Sequence, residues 1–447
     1  MDIKAMKKAV EKRALALGVT DYEVFYKSYT DISVETLNRE ISNFNSTVTG
    51  GVSVRLVVGG RVGYASSERV TPDEVEKLVD IALENAKYTD KPDEVGIFEG
   101  NVSYSEKRKK THVASSAEKL KNIAISLADK AYSASEMVKD GTATAAGSTG
   151  FSVALFNSKG LELSTEGGMD YAYCEAIVEK DGESQFGYSV SEIKNGEIPL
   201  ELAEESVSEA LSKIGAMTVT TGKYNVVIDG KEMRSLLSAF APAFSAKNAQ
   251  TGMSLLAGKE GERIASELVT LTDDPMREEL SIGTFFDAEG VSAARKCVIE
   301  KGVLKTLLHN RETAKKAGIE STGNASKSGY SSPIGISPYA FCIEGGDKSF
   351  DELMSLADGG LLVTEIKGLH AGANAVTGDF SIESAGYMIK DGKAAQAVRS
   401  FTISGNFFEL LKSITAISDK IEFGLSGAFT TYASPAVLVE NMSVAGE

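Results

Sequence analysis

The sequence is poor in the side chains that build metal and redox sites. Its 447 residues include three histidines, three cysteines and no tryptophan. His112, His309 and His370 lie far apart in the chain, so no two of them share a helix face. A zincin-type helix needs two imidazoles with a glutamate beside them, because the metal acidifies a bound water and the glutamate takes its proton. That spacing does not occur. For His112 and His309 the residues point to surface or hydrogen-bonded structural roles; His370 is placed on a loop, which makes it a weak site candidate. Cys174, Cys297 and Cys342 form no C-x-x-C pair and read as free thiols of a reducing compartment. A nucleophile elbow and a Walker phosphate loop are missing, and Gly59, Gly60 and Gly63 do not form a dinucleotide fingerprint.

Positive charge is also short. The net charge is −16, which argues against a nucleic-acid partner, since phosphate affinity comes from clustered Lys and Arg. The one dense basic run, residues 107–110, reads as a solvated linker. No stretch approaches the ~18 apolar residues of a membrane span. Met1 to Leu17 mixes charges through its apolar positions, so it predicts an amphipathic helix rather than a signal peptide. A cytoplasmic protein without membrane or nucleic-acid partners is expected.

The length predicts two or three domains at roughly 100–200 residues each. Three regions are delineated: an α/β module over 1–100, a second α+β module over 101–219, and a β-rich domain over 220–447. In the first, Val52, Val54, Leu56 and Val58 alternate as a strand, and Gly59-Gly60 supplies a hairpin turn. Thr71 to Glu74 has capping-box spacing with Pro72 at the first helical position. In the second, Ser115 and Glu118 are assigned a capping box. Both modules share a helix–strands–helix plan without a visible sequence repeat. The third region is mostly β, with short helices near 350–357 and 407–414 and a hairpin at Asp391-Gly392. The expected class is α+β, ending in a large curled or barrel-like sheet.

Gly222–Ala246 organises this third region. Tyr224–Ile228 reads as a buried strand that turns directly into a helix. Asp229 and Glu232 have capping-box spacing. Met233, Leu236, Leu237, Phe240 and Phe244 form one apolar stripe, with Ser238, Ala239 and Ala243 off it. Pro242 predicts a kink or stop. Carboxylates cluster in turns at Asp273-Asp274 and at Asp287 and Glu289. Either turn could hold a hard cation, although isolated acidic turns are usually solvated. Residue chemistry alone displays no active site.

Several ordered stretches resemble the TldD/PmbA proteins, named as peptide-maturation proteases and historically as modulators of DNA gyrase. They are Leu255–Asp274, Phe286–Gly290, Val298–Leu304, Thr322–Asn324, Gly359–Glu365, Val376–Ser381 and Ile403–Asn406. In the family's TldD branch the helix carries H-E-x-x-x-H, and a C-terminal cysteine is thought to complete the metal site. The matching positions here are Ser238, Ala239 and Ala243, with Ser426 near the expected cysteine. None offers an imidazole, carboxylate or thiolate. This pattern resembles the PmbA branch, also called TldE.

The resemblance implies a non-catalytic subunit that binds no cofactor itself. A TldD-like partner would bring zinc, and the pair would act on peptides or unfolded proteins. Two alternatives stand beside it: a stand-alone, homodimeric peptide-binding scaffold without proteolysis, and a metal hydrolase rebuilt around His370 or the acidic turns.

Overall fold

A computed structural model describes residues 3–89, 95–101, 103–105, 112–194, 196–425 and 430–446. The basic run at 107–110 and Ser426 lie outside the described residues. The first module comprises α1 (Ile3–Ala16), β1 (Asp21–Leu37), β2 (Glu40–Val58), β3 (Arg61–Ser67) and α2 (Pro72–Ala86). The second repeats that order with α3 (Ala117–Ala134), β4 (Ala143–Asn157), β5 (Glu162–Lys180), β6 (Glu183–Glu192) and α4 (Glu201–Ser212). The class is α+β, and no described helix is long and apolar enough to cross a membrane.

The two modules do not fold as separate sheets. β1 pairs antiparallel with β4 from Glu23↔Asn157 to Leu37↔Ala143, giving one six-stranded sheet ordered β3-β2-β1-β4-β5-β6. The order reads as two three-stranded halves facing each other across β1 and β4, with the helices of each module buried on its own half. Each half has a glycine where its last helix crosses its last strand. A Cβ on Gly63 would stand 1.9 Å from the Ala82 carbonyl of α2, and one on Gly187 would stand 2.0 Å from the Ser206 carbonyl of α4. This correspondence across low sequence similarity is what the shared plan reflects.

Two N-terminal capping assignments are corrected. Thr71 accepts from Glu74 N at 3.3 Å, but the Glu74 carboxylate accepts from Ser67 Oγ at 3.1 Å instead of returning to the cap. Ser116 rather than Ser115 caps α3, because the Ser115 hydroxyl is taken by the buried Asp170 carboxylate. The turns follow the sequence. Gly59-Gly60 and Asp391-Gly392 all have positive φ, which the right-handed twist of a two-residue hairpin demands.

The C-terminal domain contains β7 (Gly222–Ile228), α5 (Gly230–Phe240), α6 (Ala246–Gln250), β8 (Leu271–Asp273), β9 (Lys296–Glu300), β10 (Val303–Leu304) and α7 (Arg311–Ala317). It continues with β11 (Ala325–Ser326), β12 (Gly335–Ile336), β13 (Ala340–Ile343), α8 (Phe350–Leu356), β14 (Leu361–Lys367) and α9 (Leu369–Gly372). β15 (Asp379–Lys390), β16 (Lys393–Asn406), α10 (Phe407–Lys412), β17 (Ile414–Phe423) and β18 (Thr431–Ala445) complete it. β18, β16, β15, β14 and β7 close into a ring, because β7 pairs with both β14 and β18. It is a curled ring rather than a regular barrel, since β17 and the β13-β8-β9-β10 arm branch off β18. α5 packs its stripe into this domain's core, where Phe240 stacks on Phe407 with centroids 4.5 Å apart. Against the N-terminal sheet, Phe25, Phe151 and Leu155 meet Phe286 and Ala288.

Gly63→Ala and Gly187→Ala should each destabilise the chain by about 1–3 kcal/mol, as expected when a close contact is overpacked. Urea unfolding of the two variants measures this; a loss near zero in both would mean that the helices do not need the close approach.

Candidate functional site

α5 starts where β7 ends, and its first turn is built differently from the capping box assigned to it. Asp229 Oδ1 accepts from Lys231 N at 3.0 Å, one residue short of the expected amide. Glu232 is 6% exposed, and its expected bond back to the cap is not made. Loss of solvent pushes its carboxyl up to about 7, with Lys231, Asp229, Arg234 and Glu365 as charged neighbours. The stripe is as predicted: Met233, Leu236, Leu237, Phe240 and Phe244 are at most 1% exposed. Pro242 also acts as predicted. The α-helix ends at Phe240, residues Ala241–Phe244 form a 3₁₀ turn, and helix resumes at Ala246.

Ser238 is half-buried beside the Tyr432 side chain, while Ala239 is half-buried against the core. Ala243, placed off the stripe by helical spacing, is fully buried. The tighter turn at Pro242 changes the angular step, so residue 243 faces inward. A hydroxyl and two methyl groups do not fit a zinc ion, which takes imidazole, thiolate or carboxylate. His370 lies in the one-turn helix α9 rather than a loop, exposed to solvent. Among the described residues, no three His, Cys, Asp or Glu side chains gather at metal-binding distance.

The remaining candidates separate by their partners. His112 Nε2 is 2.9 Å from Asp170 Oδ1 and 3.5 Å from Ser148 Oγ. Both partners share one ring nitrogen, so this is not the relay in which serine and carboxylate use opposite nitrogens. His309 is buried with its Nδ1 unpartnered, and desolvation lowers its pKa. Asp273 is completely buried. It accepts from Tyr339 N, Ala340 N, Lys296 Nζ and Asn324 Nδ2 at 2.7–3.0 Å. Asp274 Oδ1 accepts from Met276 N at 3.0 Å. Asp287 accepts from Glu289 N, Val291 N and Ala325 N, each at 2.9 Å. Asp273 and Asp287 are loop anchors whose oxygens are already engaged by protein donors.

Glu289 is different, because it lines a cavity of about 570 Å³ between the first module and the C-terminal domain. Glu23, Arg55, Tyr64 and Lys327 also line it. Sequence reasoning passed over Glu23 and Lys327. The available signal was a charged Glu23 inside the apolar run Tyr22–Phe25, which stays buried on both faces of β1.

Profiles of the PmbA/TldA metallopeptidases match the whole plan: domain 1 over residues 22–86, the central domain over 110–214 and the C-terminal domain over 221–446. The chain belongs to the PmbA/TldD metallopeptidase family. Metalloprotease PmbA of Escherichia coli O157:H7 is 26% identical, over 100% of this chain and 98% of that protein. TldE from Thermococcus kodakarensis superposes with a TM-score of 0.90 at 25% identity, covering 99% of this chain and 100% of that one. A Thermotoga maritima protein titled a modulator of a DNA gyrase superposes at 0.88 with 29% identity, covering 99% and 100%. Within the PmbA/TldD family, this chain is PmbA/TldE-like.

Glu232 generates a pH prediction. Its pKa is raised on folding, so its contribution to stability is complete below the unfolded value near 4.5 and is lost as pH climbs to about 7. That rise corresponds to roughly 3 kcal/mol at most. Glu232→Gln should therefore stabilise the chain at pH 8, with the gain shrinking as pH falls towards 5. Thermal melts across this range test it; a pH-independent difference would show that burial is not what shifts this group.

Proposed function

We propose that this chain is the PmbA/TldE-like subunit of a two-chain, TldD–TldE-type metalloprotease acting on peptides or unfolded proteins. A TldD-like partner supplies zinc and the general base. The observation that carries this reading is the helix after β7. It follows directly on the strand, and the resemblance aligns its Ser238, Ala239 and Ala243 with the positions where the TldD branch carries its motif. Ala243 points into the core, so its position has no access to a reaction centre without repacking.

The chain's own contribution is then shape and substrate binding. Among the described residues, β3 and β6 end the six-stranded sheet with one unpaired edge each. An edge strand offers alternating N–H and C=O groups that accept an extended peptide regardless of its sequence. The proposed compartment is the cytoplasm, in keeping with three unpaired thiols.

Mixing the chain with the TldD-like protein of the same cell should give a stable complex at micromolar concentration. The complex should contain zinc and cleave an unfolded peptide, while this chain alone retains no stoichiometric zinc after loading and desalting. Failure to associate, or stoichiometric zinc in the isolated chain, overturns the proposal. Failure to associate combined with self-association would favour the homodimeric scaffold.

A further inference from the structure

The cavity of about 570 Å³ is built from distant parts of the chain: β1 and β2 supply Glu23 and Arg55, and C-terminal loops supply Glu289 and Lys327. Ionised side chains are rarely buried without partners, because desolvation is costly. Here three line one cavity while remaining nearly inaccessible: Glu23 and Glu289 at 5% exposure each and Lys327 at 8%.

The hydrogen bonding of Glu289 and Lys327 is incomplete in a directional way. Glu289 Oε2 accepts from Arg311 N at 2.8 Å, and among the described residues nothing donates to Oε1. Lys327 Nζ donates to Ser53 Oγ at 3.0 Å and to Tyr64 Oη at 2.8 Å. Both acceptors are neutral hydroxyls, and among the described residues no carboxylate forms an ion pair with Lys327. The ammonium rests over the rings of Phe25 and Tyr64, at 4.6 and 5.0 Å. Burial raises the Glu289 carboxyl, against the opposing pull of Arg311 and Arg55, and lowers the Lys327 ammonium to about 8, so each charge is held at a net cost that a ligand of opposite charge would relieve. Glu23 acts electrostatically on both groups, which places them in one field.

A ligand complementary to this cavity presents an ammonium to one wall and an anionic or carbonyl oxygen to the other. Three carboxylates, Glu23, Glu289 and Glu312, line the walls together with Arg55, Lys247 and Lys327, so the cavity has no excess of positive charge to favour a phosphate group, and the described residues do not gather a metal ligand set. We infer that the cavity binds the free amino end of a short peptide, with the terminal ammonium on Glu289 and a peptide carbonyl or carboxylate oxygen on Lys327. Lys247 of α6 stands at the same cavity, so a peptide held there would lie beside the segment that follows α5. The inference does not depend on a TldD-like partner and is tested on the single chain.

Calorimetric titration of the full chain with Ala-Ala and with N-acetyl-Ala-Ala distinguishes the outcomes. Ala-Ala should bind saturably, and acetylation should weaken binding by about tenfold or more, the effect of losing a hydrogen bond between charged groups. Glu289→Gln should weaken Ala-Ala to a similar degree, because the amide keeps an oxygen for Arg311 N but loses the charge. Lys327→Met should weaken Ala-Ala more than it weakens alaninamide, which lacks the carboxylate. Equal affinity for free and acetylated dipeptide, or no saturable binding at millimolar concentration, overturns the inference. Should either variant fail to fold, the acetylation comparison on the unchanged chain decides.

Discussion

Strand β18 shares backbone hydrogen bonds with β7, β13, β16 and β17, parallel to β13 and antiparallel to the other three. The placement of α5 in the C-terminal domain depends on this strand. β7 is gripped on one side by β14 and on the other by β18, so its exit point and direction are set by two independent ladders. α5 leaves from that point after a single residue, Asp229. The helix therefore has little freedom in where it presents Ser238 and Ala239. A ring of this kind also removes sheet edges in the domain core, leaving open edges at the ends of the N-terminal sheet.

Buried carboxylates divide the loops into two kinds. Asp273 and Asp287 accept several bonds each from backbone amides and neighbouring side chains, which locks their turns in place. Glu289 is only two residues from Asp287, yet among the described residues its side chain accepts one bond and has a cavity before it. The anchored Asp287 holds the turn that aims Glu289, so a rigid loop presents an under-satisfied group. Shared backbone support makes such pairing of structural and ligand-facing acids economical on one short loop.

Much of the architecture was legible locally. Strand alternation from Val52 to Val58, the paired turn residues at Gly59-Gly60 and Asp391-Gly392, and the stripe and proline of α5 all follow from contacts within a few residues. Local spacing failed where a distant partner competed. Ser115 looked like a cap until Asp170 claimed its hydroxyl, and Glu74 turned to Ser67. Ala243 lies off the apolar stripe on an ideal helix, whereas the turn at Pro242 rotates it into the core. The merging of two modules into one sheet was also invisible, since pairing of β1 with β4 joins segments more than a hundred residues apart and leaves no periodic trace.

By itself the sequence determined the elements, the hairpin turns, the α+β class and the family resemblance, along with the side chains present at positions 238, 239 and 243. These properties depend on residue identity and on spacing of two to four residues, which strands and helices translate directly into faces. Only the tertiary structure decided which charges are buried together. Lys327 meets Ser53 across 274 residues of chain, and Glu23 is drawn into the same cavity as Glu289. The energetic cost of burying those groups depends on what surrounds them in three dimensions, and solvent exclusion by a remote segment has no counterpart in local sequence pattern.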